Sequence, residues 1–222
     1  MTSTLPLPSS LLKFAPPVPE GTYKVNEIFY SLQGEGVNVG TPMVFVRFSN
    51  CNLRCRWETQ GFDCDTEFVS GRIHTATEIF EAARAIAPLA SWLLFTGGEP
   101  GLQLTDALIN EANERGYTCS VETNGTVELP AAMNEGPNWI CVSPKTAEHT
   151  LRQRTASEVK YVRHYGMGIP EPAIRAEHHF ISPAFQPDGS VRREDLDWCI
   201  KLVKENPKWR LSIQAHKLIM VR

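Results

Sequence analysis

Apolar and polar positions along this chain fall into short blocks whose period keeps switching. Over Met43–Phe48, Val44, Val46 and Phe48 alternate with Arg47, which predicts a strand. Ala76–Ala87 predicts a helix, with Thr75 as its N-cap and Glu78 in the capping-box position. Pro88 stops it. Trp92–Phe95 is a short apolar run, read as a buried strand that ends in Thr96–Pro100. Leu102–Arg115 is amphipathic, with Gly116 as its C-cap. Strands are predicted over Tyr117–Thr123, Trp139–Val142, Glu158–Val162 and His179–Ile181. A helix over Asp195–Glu205 and a strand over Trp209–Gln214 complete the pattern.

Strands alternating with helices predict an α/β fold built on a mostly parallel sheet. Ligands gather at the carboxyl ends of parallel strands. Several polar clusters directly follow predicted strands: the loop after Phe48, Thr96–Glu99, Glu122–Asn124 and Ser143–Lys145. All four are expected on one rim.

Composition agrees with a globular domain: 42% apolar and 21% charged residues over 222 positions. The net charge is −3, and no basic patch is visible, which disfavours a nucleic-acid partner. No window holds 18 consecutive apolar residues, so no membrane span is expected. The first residues make a poor signal peptide, and the chain is expected to be soluble and cytoplasmic. Pro6, Pro8, Pro16, Pro17 and Pro19 mark residues 1–22 as an extended arm, leaving 23–222 as a single domain. There is no internal repeat.

Cys51, Cys55 and Cys64 crowd one loop, while Cys119, Cys141 and Cys199 stand alone in apolar surroundings. The isolated three read as small buried hydrophobes. Three thiolates on one loop can wrap an inorganic core and leave a coordination position open. A 4Fe–4S cluster would then keep one iron able to bind a small molecule. The alternative is zinc, with His74 or His216 as a fourth ligand.

The spacing Cys51-x3-Cys55 followed by Cys64-Asp65-Thr66 resembles the C-x3-C-x2-C signature of radical S-adenosylmethionine enzymes. Here eight residues separate the second and third cysteines, so Glu58–Asp63 reads as a six-residue insertion, with Gly61 helping it turn back. Thr96-Gly97-Gly98-Glu99-Pro100 is similar to the family's GGE motif. Phe29–Gly36, Arg47, Glu122–Gly125, Ser143–Lys145 and Gln214–Lys217 narrow the resemblance to the 7-carboxy-7-deazaguanine synthase family. It runs from about Val25 to the C-terminus; Tyr165–Glu177 matches poorly, and Ser182-Pro183 stands where relatives often have Gln-Pro.

The resemblance implies a partial, open (β/α) barrel of the radical S-adenosylmethionine type. It implies a lyase that contracts the ring of 6-carboxy-5,6,7,8-tetrahydropterin to 7-carboxy-7-deazaguanine with loss of ammonia. Cys51, Cys55 and Cys64 would ligate a 4Fe–4S cluster. Gly98, Glu99, Glu122, Asn124, Ser143 and Lys145 would hold S-adenosylmethionine. Gln33, Glu35, Arg47, Thr96 and His216 would hold the pterin, joined by the C-terminal carboxylate of Arg222. Thr66 would hold Mg²⁺. A flavodoxin-like or ferredoxin-like reductant and a homodimer are implied as well.

Plainer readings stand beside these. Gln33–Gly36 is compatible with a simple hairpin turn, Arg47 with a neighbouring carboxylate partner, His216 with an exposed surface position and Lys145 with a solvated loop. Phe29, Trp57, Trp139 and Trp198 read as core packing. Two functional alternatives differ in class: a radical activase for a glycyl-radical partner protein, and a non-catalytic zinc-binding module. The Leu32–Gly36 run and the Gln214–Lys217 ending argue against the activase.

Overall fold

A computed structural model describes residues 18–64, 66–186 and 188–221. Positions 1–17 of the expected arm, and Arg222 with its carboxylate, lie outside them. The strands are β1 (Thr22–Leu32), β2 (Pro42–Phe48), β3 (Arg72–Thr75), β4 (Trp92–Gly97), β5 (Thr118–Thr123), β6 (Trp139–Val142), β7 (Thr155–Arg163), β8 (Arg175–Pro183) and β9 (Arg210–Leu211). The helices are α1 (Trp57–Gln60), α2 (Ala76–Ile86), α3 (Asp106–Glu114), α4 (Arg193–Glu205) and α5 (Ala215–Leu218). Among the described residues the strands form one sheet in the order β3-β1-β2-β4-β5-β6-β7-β8-β9. β1 runs antiparallel to both neighbours, and every pairing from β2 to β9 is parallel.

α2 and α4 form close to where the sequence places them, while α1 and α5 are single turns that it did not predict. Thr75 and Glu78 close a reciprocal capping box: the Glu78 amide donates to Thr75 Oγ1 at 3.2 Å, and the Thr75 amide to Glu78 Oε2 at 2.7 Å. Such a cap is worth ~1 kcal/mol. α2 buries Ile79, Phe80 and Ala83, and α3 buries Leu108, Ile109 and Ala112. They cover the sheet face that carries Val44, Val46, Phe48, Leu93, Phe95, Val121 and Val142. Each fully buried branched or aromatic side chain there contributes roughly 1.5–3 kcal/mol.

Two strands are absent from the sequence reading. In β1 the register shifts between Val25 and Glu27, which breaks the period-two alternation. β3 is a short, largely exposed edge strand with little apolar signal. α3 starts later than expected because Thr105 caps it, after a separate turn of 3₁₀ helix over Pro100–Leu102. The strand expected over Trp209–Gln214 pairs only at Arg210–Leu211, and α5 follows it.

The sheet is curled but not closed. β1 and β9 stand seven intervals apart in it, which in a flat sheet is ~34 Å. Yet the Ala215 amide, just beyond β9, donates to the Gly34 carbonyl, just beyond β1, at 2.9 Å. The six intervening residues could span only ~20 Å, so the flanks must bend towards each other. They bend towards the face opposite α2 and α3. Register aligns polar side chains across that concave face: Arg47 beside Thr96, Glu122 beside Cys141, and Cys141 beside Glu158.

Candidate active site

The cysteine loop leaves β2 through Asn50, whose φ is 71°. The Asn50 amide donates to the Phe68 carbonyl at 2.7 Å. Beyond it, the loop is tied to the end of β5: Asn52 Nδ2 donates to Thr126 Oγ1 at 2.7 Å, and Asn124 Nδ2 to Asn52 Oδ1 at 3.2 Å. The insertion folds into the single turn α1, closed by Gly61 at φ 77° and by a bond from the Trp57 amide to Asp63 Oδ1 at 3.0 Å. Gly61 therefore makes the turn its position suggested. Trp57, expected in the core, is instead 39% exposed, with the Arg192 guanidinium 4.9 Å above its ring. The insertion has carried it outward, and Phe62 now faces inward, 5.0 Å from the Lys145 ammonium.

Cys51, Cys55 and Cys64 line one cavity. Tetrahedral zinc with bonds of about 2.3 Å needs sulfurs about 3.8 Å apart. Among the described residues, the trio of ligand atoms that falls within 4.8 Å is Glu122, Cys141 and Glu158, not the three loop cysteines. His74 and His216 do not line this cavity. Burial pushes the Cys51 thiol up to about 12 and raises that of Cys55 as well. For these two, burial disfavours the thiolate unless a positive charge such as a metal's lies beside it, which fits a ligand role.

Thr96, Gly98, Glu122, Asn124, Ser143 and Lys145 line the same cavity, together with Ser182 and Pro183. Lys145 Nζ donates to Ser143 Oγ at 2.7 Å. It is not a solvated loop residue: burial, and next Lys160, hold its ammonium below the ordinary lysine value.

Glu99 lies behind the wall. It is fully buried, and its carboxylate accepts from the Gly101 amide at 2.9 Å, Thr123 Oγ1 at 2.6 Å and the Asn124 amide at 2.8 Å. Burial raises its carboxyl above the ordinary value, against those three bonds. It thus fixes the backbone of Thr123-Asn124 rather than lining the cavity. Glu99→Gln would face the Asn124 N–H with a second donor. That change is expected to cost about 1–3 kcal/mol, to be read in the midpoint of thermal unfolding of the variant.

A second cavity adjoins the first and shares Glu35, Thr66, Thr96, Glu122, Lys160 and Gln214 with it. Gln33, Arg47 and His216 line it too. Gln33–Gly36 belongs to the loop of the β1–β2 hairpin, and it also walls this cavity. Gln33 Nε2 donates to Glu122 Oε1 at 3.1 Å. Lys160 Nζ bridges Glu35 and Glu122, at 2.5 and 3.2 Å. Gln214 Nε2 donates to Glu35 Oε1 at 2.8 Å. Arg47 does pair with a neighbour, Glu27, through Nε at 2.8 Å, while Phe29 and Phe45 stack at 4.8 Å beside it. Gly34 admits the His216 ring so closely that a Cβ there would lie 1.9 Å from Nδ1.

Burial works against the Glu35 carboxylate, but the Lys160 ammonium and the bonds from Lys160 and Gln214 bring it down to about 2. A lowered carboxyl adds stability above its ordinary value of 4.5, and that stability is lost as pH falls towards 2. Burial, followed by the charge of Glu122, pushes Glu158 the other way.

The sequence reading missed Lys160, Glu158, Phe62 and Phe45. For the first two a signal existed: two charges at i and i+2 in an otherwise apolar strand point to the same face.

No family model matches the chain. It is 42% identical over 200 residues to the 7-carboxy-7-deazaguanine synthase of Bacteroides thetaiotaomicron, covering 90% of this chain and 98% of that one. With the enzyme of the same name from Caulobacter vibrioides it shares 38% over 217 residues, covering 89% and 98%. Its fold is similar to the crystal structure of QueE from Escherichia coli, with a TM-score of 0.67, 23% identity, and coverage of 88% and 95%.

Proposed function

The chain belongs to the 7-carboxy-7-deazaguanine synthase family, and from that membership we propose that it contracts 6-carboxy-5,6,7,8-tetrahydropterin to 7-carboxy-7-deazaguanine with release of ammonia. It is a radical S-adenosylmethionine lyase on an open, mostly parallel α/β sheet. When bound, a 4Fe–4S cluster and S-adenosylmethionine supply the radical that takes hydrogen from the substrate. The observation that carries the assignment is the 42% identity to a 7-carboxy-7-deazaguanine synthase over 90% of this chain, and two adjoining cavities, one walled by three cysteines and the other by paired carboxylates and amides, offer it a place.

Cys51, Cys55 and Cys64 are the cluster ligands in this reading. Gly98, Glu122, Asn124, Ser143 and Lys145 hold the cofactor, with Glu99 fixing the backbone behind them. Gln33, Glu35, Thr96 and His216 orient the pterin ring, and Arg47 meets its carboxylate. The Arg222 carboxylate is a further substrate contact in the same scheme. Thr66 lines both cavities, and its hydroxyl is an oxygen donor of the kind Mg²⁺ accepts beside water and substrate oxygens. A flavodoxin-like or ferredoxin-like reductant, a homodimer and a cytoplasmic setting complete the proposal. None of the described helices is long and apolar enough to cross a membrane.

Anaerobically reconstituted protein, given dithionite, S-adenosylmethionine and the carboxy-tetrahydropterin, should release ammonia and form the deazaguanine acid. A confirmed cluster without product would overturn the substrate assignment.

A further inference from the structure

Lys160 sits in the middle of β7 with its side chain only 7% exposed. A buried ammonium is costly unless it is paired, and this one has two partners, Glu35 and Glu122. Three distant parts of the fold meet on it: the loop after β1, the end of β5 and the centre of β7. Amides complete the ring, with Gln33 donating to Glu122 and Gln214 to Glu35. The bonds that reach the two carboxylates from Lys160, Gln33 and Gln214 are thus donations, and at Glu35 they favour the ionised form.

We infer that Lys160 is a positioning residue that selects the ring edge the site accepts, because it keeps Glu35 an acceptor. The inference rests on the pterin reading above. An ionised carboxylate can only accept, whereas a protonated one also donates. The 2-amino-4-oxo ring of a pterin offers N–H donors to such an acceptor. In this proposal Glu35 meets the C2 edge, so a ring with oxygen at C2 would present a lone pair to it and be repelled. Without the ammonium, burial would govern Glu35, and the carboxyl would take up a proton at higher pH than before. Other charges facing Glu35 include His216, which also favours ionisation. Lys145 and Glu122 line the same cavity as Glu35.

The test uses the reconstituted holoenzyme under anaerobic conditions, with two unreactive probes, 6-carboxypterin and 6-carboxylumazine, whose rings differ at C2. Calorimetry should give the wild type a preference for the pterin on the order of a hundredfold or more, as expected where a polar site rejects a mismatched analogue. In Lys160→Met the ratio should fall below about tenfold near neutral pH. Lys160→Arg should restore most of it. A merely structural lysine would lower the unfolding midpoint of Lys160→Met and leave the ratio unchanged, which overturns the proposal. If the wild type binds neither probe, the substrate reading fails and the selectivity claim fails with it. Carbon-13 glutamate spectra of the wild type, with the Glu35 signal assigned through Glu35→Gln, probe the same point without any ligand and without relying on a folded Lys160 variant. Glu35 should stay ionised down to about pH 3 or below; titration at the ordinary carboxylate value overturns the proposal.

Discussion

Cys64→Ala is expected to reduce cleavage of S-adenosylmethionine to background, a loss on the order of a thousandfold or more. Iron and sulfide retained after reconstitution should fall with it, and the reduced-cluster electron paramagnetic signal should vanish. Cys64 is the exposed member of the triad and the one displaced by the insertion. Its neighbours Cys51 and Cys55 lie deeper, where burial keeps their thiols protonated in the absence of metal. Two buried thiols give no stable site for a four-iron core. Cys199→Ala is the control: that residue is fully buried among core side chains near Arg163. Its loss should cost about 1 kcal/mol of stability and leave cleavage intact. Retained cluster and cleavage in Cys64→Ala would mean that another group is the third ligand.

How much of this site could be read from the sequence varied with the kind of signal each residue sends. The cysteines, the Gly97-Gly98 pair and the polar residues directly after β4, β5 and β6 were legible because motif and strand end coincide. Local spacing then fixes what the backbone can present. Glu99 shows where this stops. Its place in a motif predicts a carboxylate near the cofactor, but the residue's direction depends on Thr123 and Asn124, which approach from another strand. Trp57 shows the same limit from the other side. An aromatic next to the cysteine loop suggests burial, and only the folded turn of α1 reveals that it points out towards Arg192.

From Met43 onward the long strands and helices were legible, because their periods differ; the short elements β3, α1 and α5 were not, having too few residues to show a period. β1 was hidden by its register shift at Val25 and Glu27. For Lys160 the spacing from Glu158 marks a shared face but not the partner, because only the curl of the sheet brings Glu35 to it from the far flank. The concave face is a property of tertiary closure, which no local pattern encodes.

Gly98→Ala is expected to damage both the fold and the rim. The Gly98 amide donates to the Phe48 carbonyl at 3.0 Å and the Glu99 amide to the Asn50 carbonyl at 2.8 Å, so the chain after β4 extends the β2 ladder into the cysteine loop. A Cβ on Gly98 would fall 1.9 Å from the Asn50 oxygen and 2.4 Å from its carbon. Those atoms are backbone and cannot swing aside. Either the ladder opens or Asn50 moves, and Cys51 moves with it. The expected cost is about 2–4 kcal/mol of stability, with affinity for S-adenosylmethionine falling at least about tenfold. Calorimetric unfolding and cofactor titration of the reconstituted protein would read both. Gly116→Ala separates the steric effect from the loss of a glycine. Its φ is 86°, but nothing lies within 4 Å of an added Cβ, so it should cost about 1 kcal/mol and leave affinity unchanged. If the two variants behave alike, the close approach of the Gly98 backbone to Asn50 is not what holds the cysteine loop against the rim.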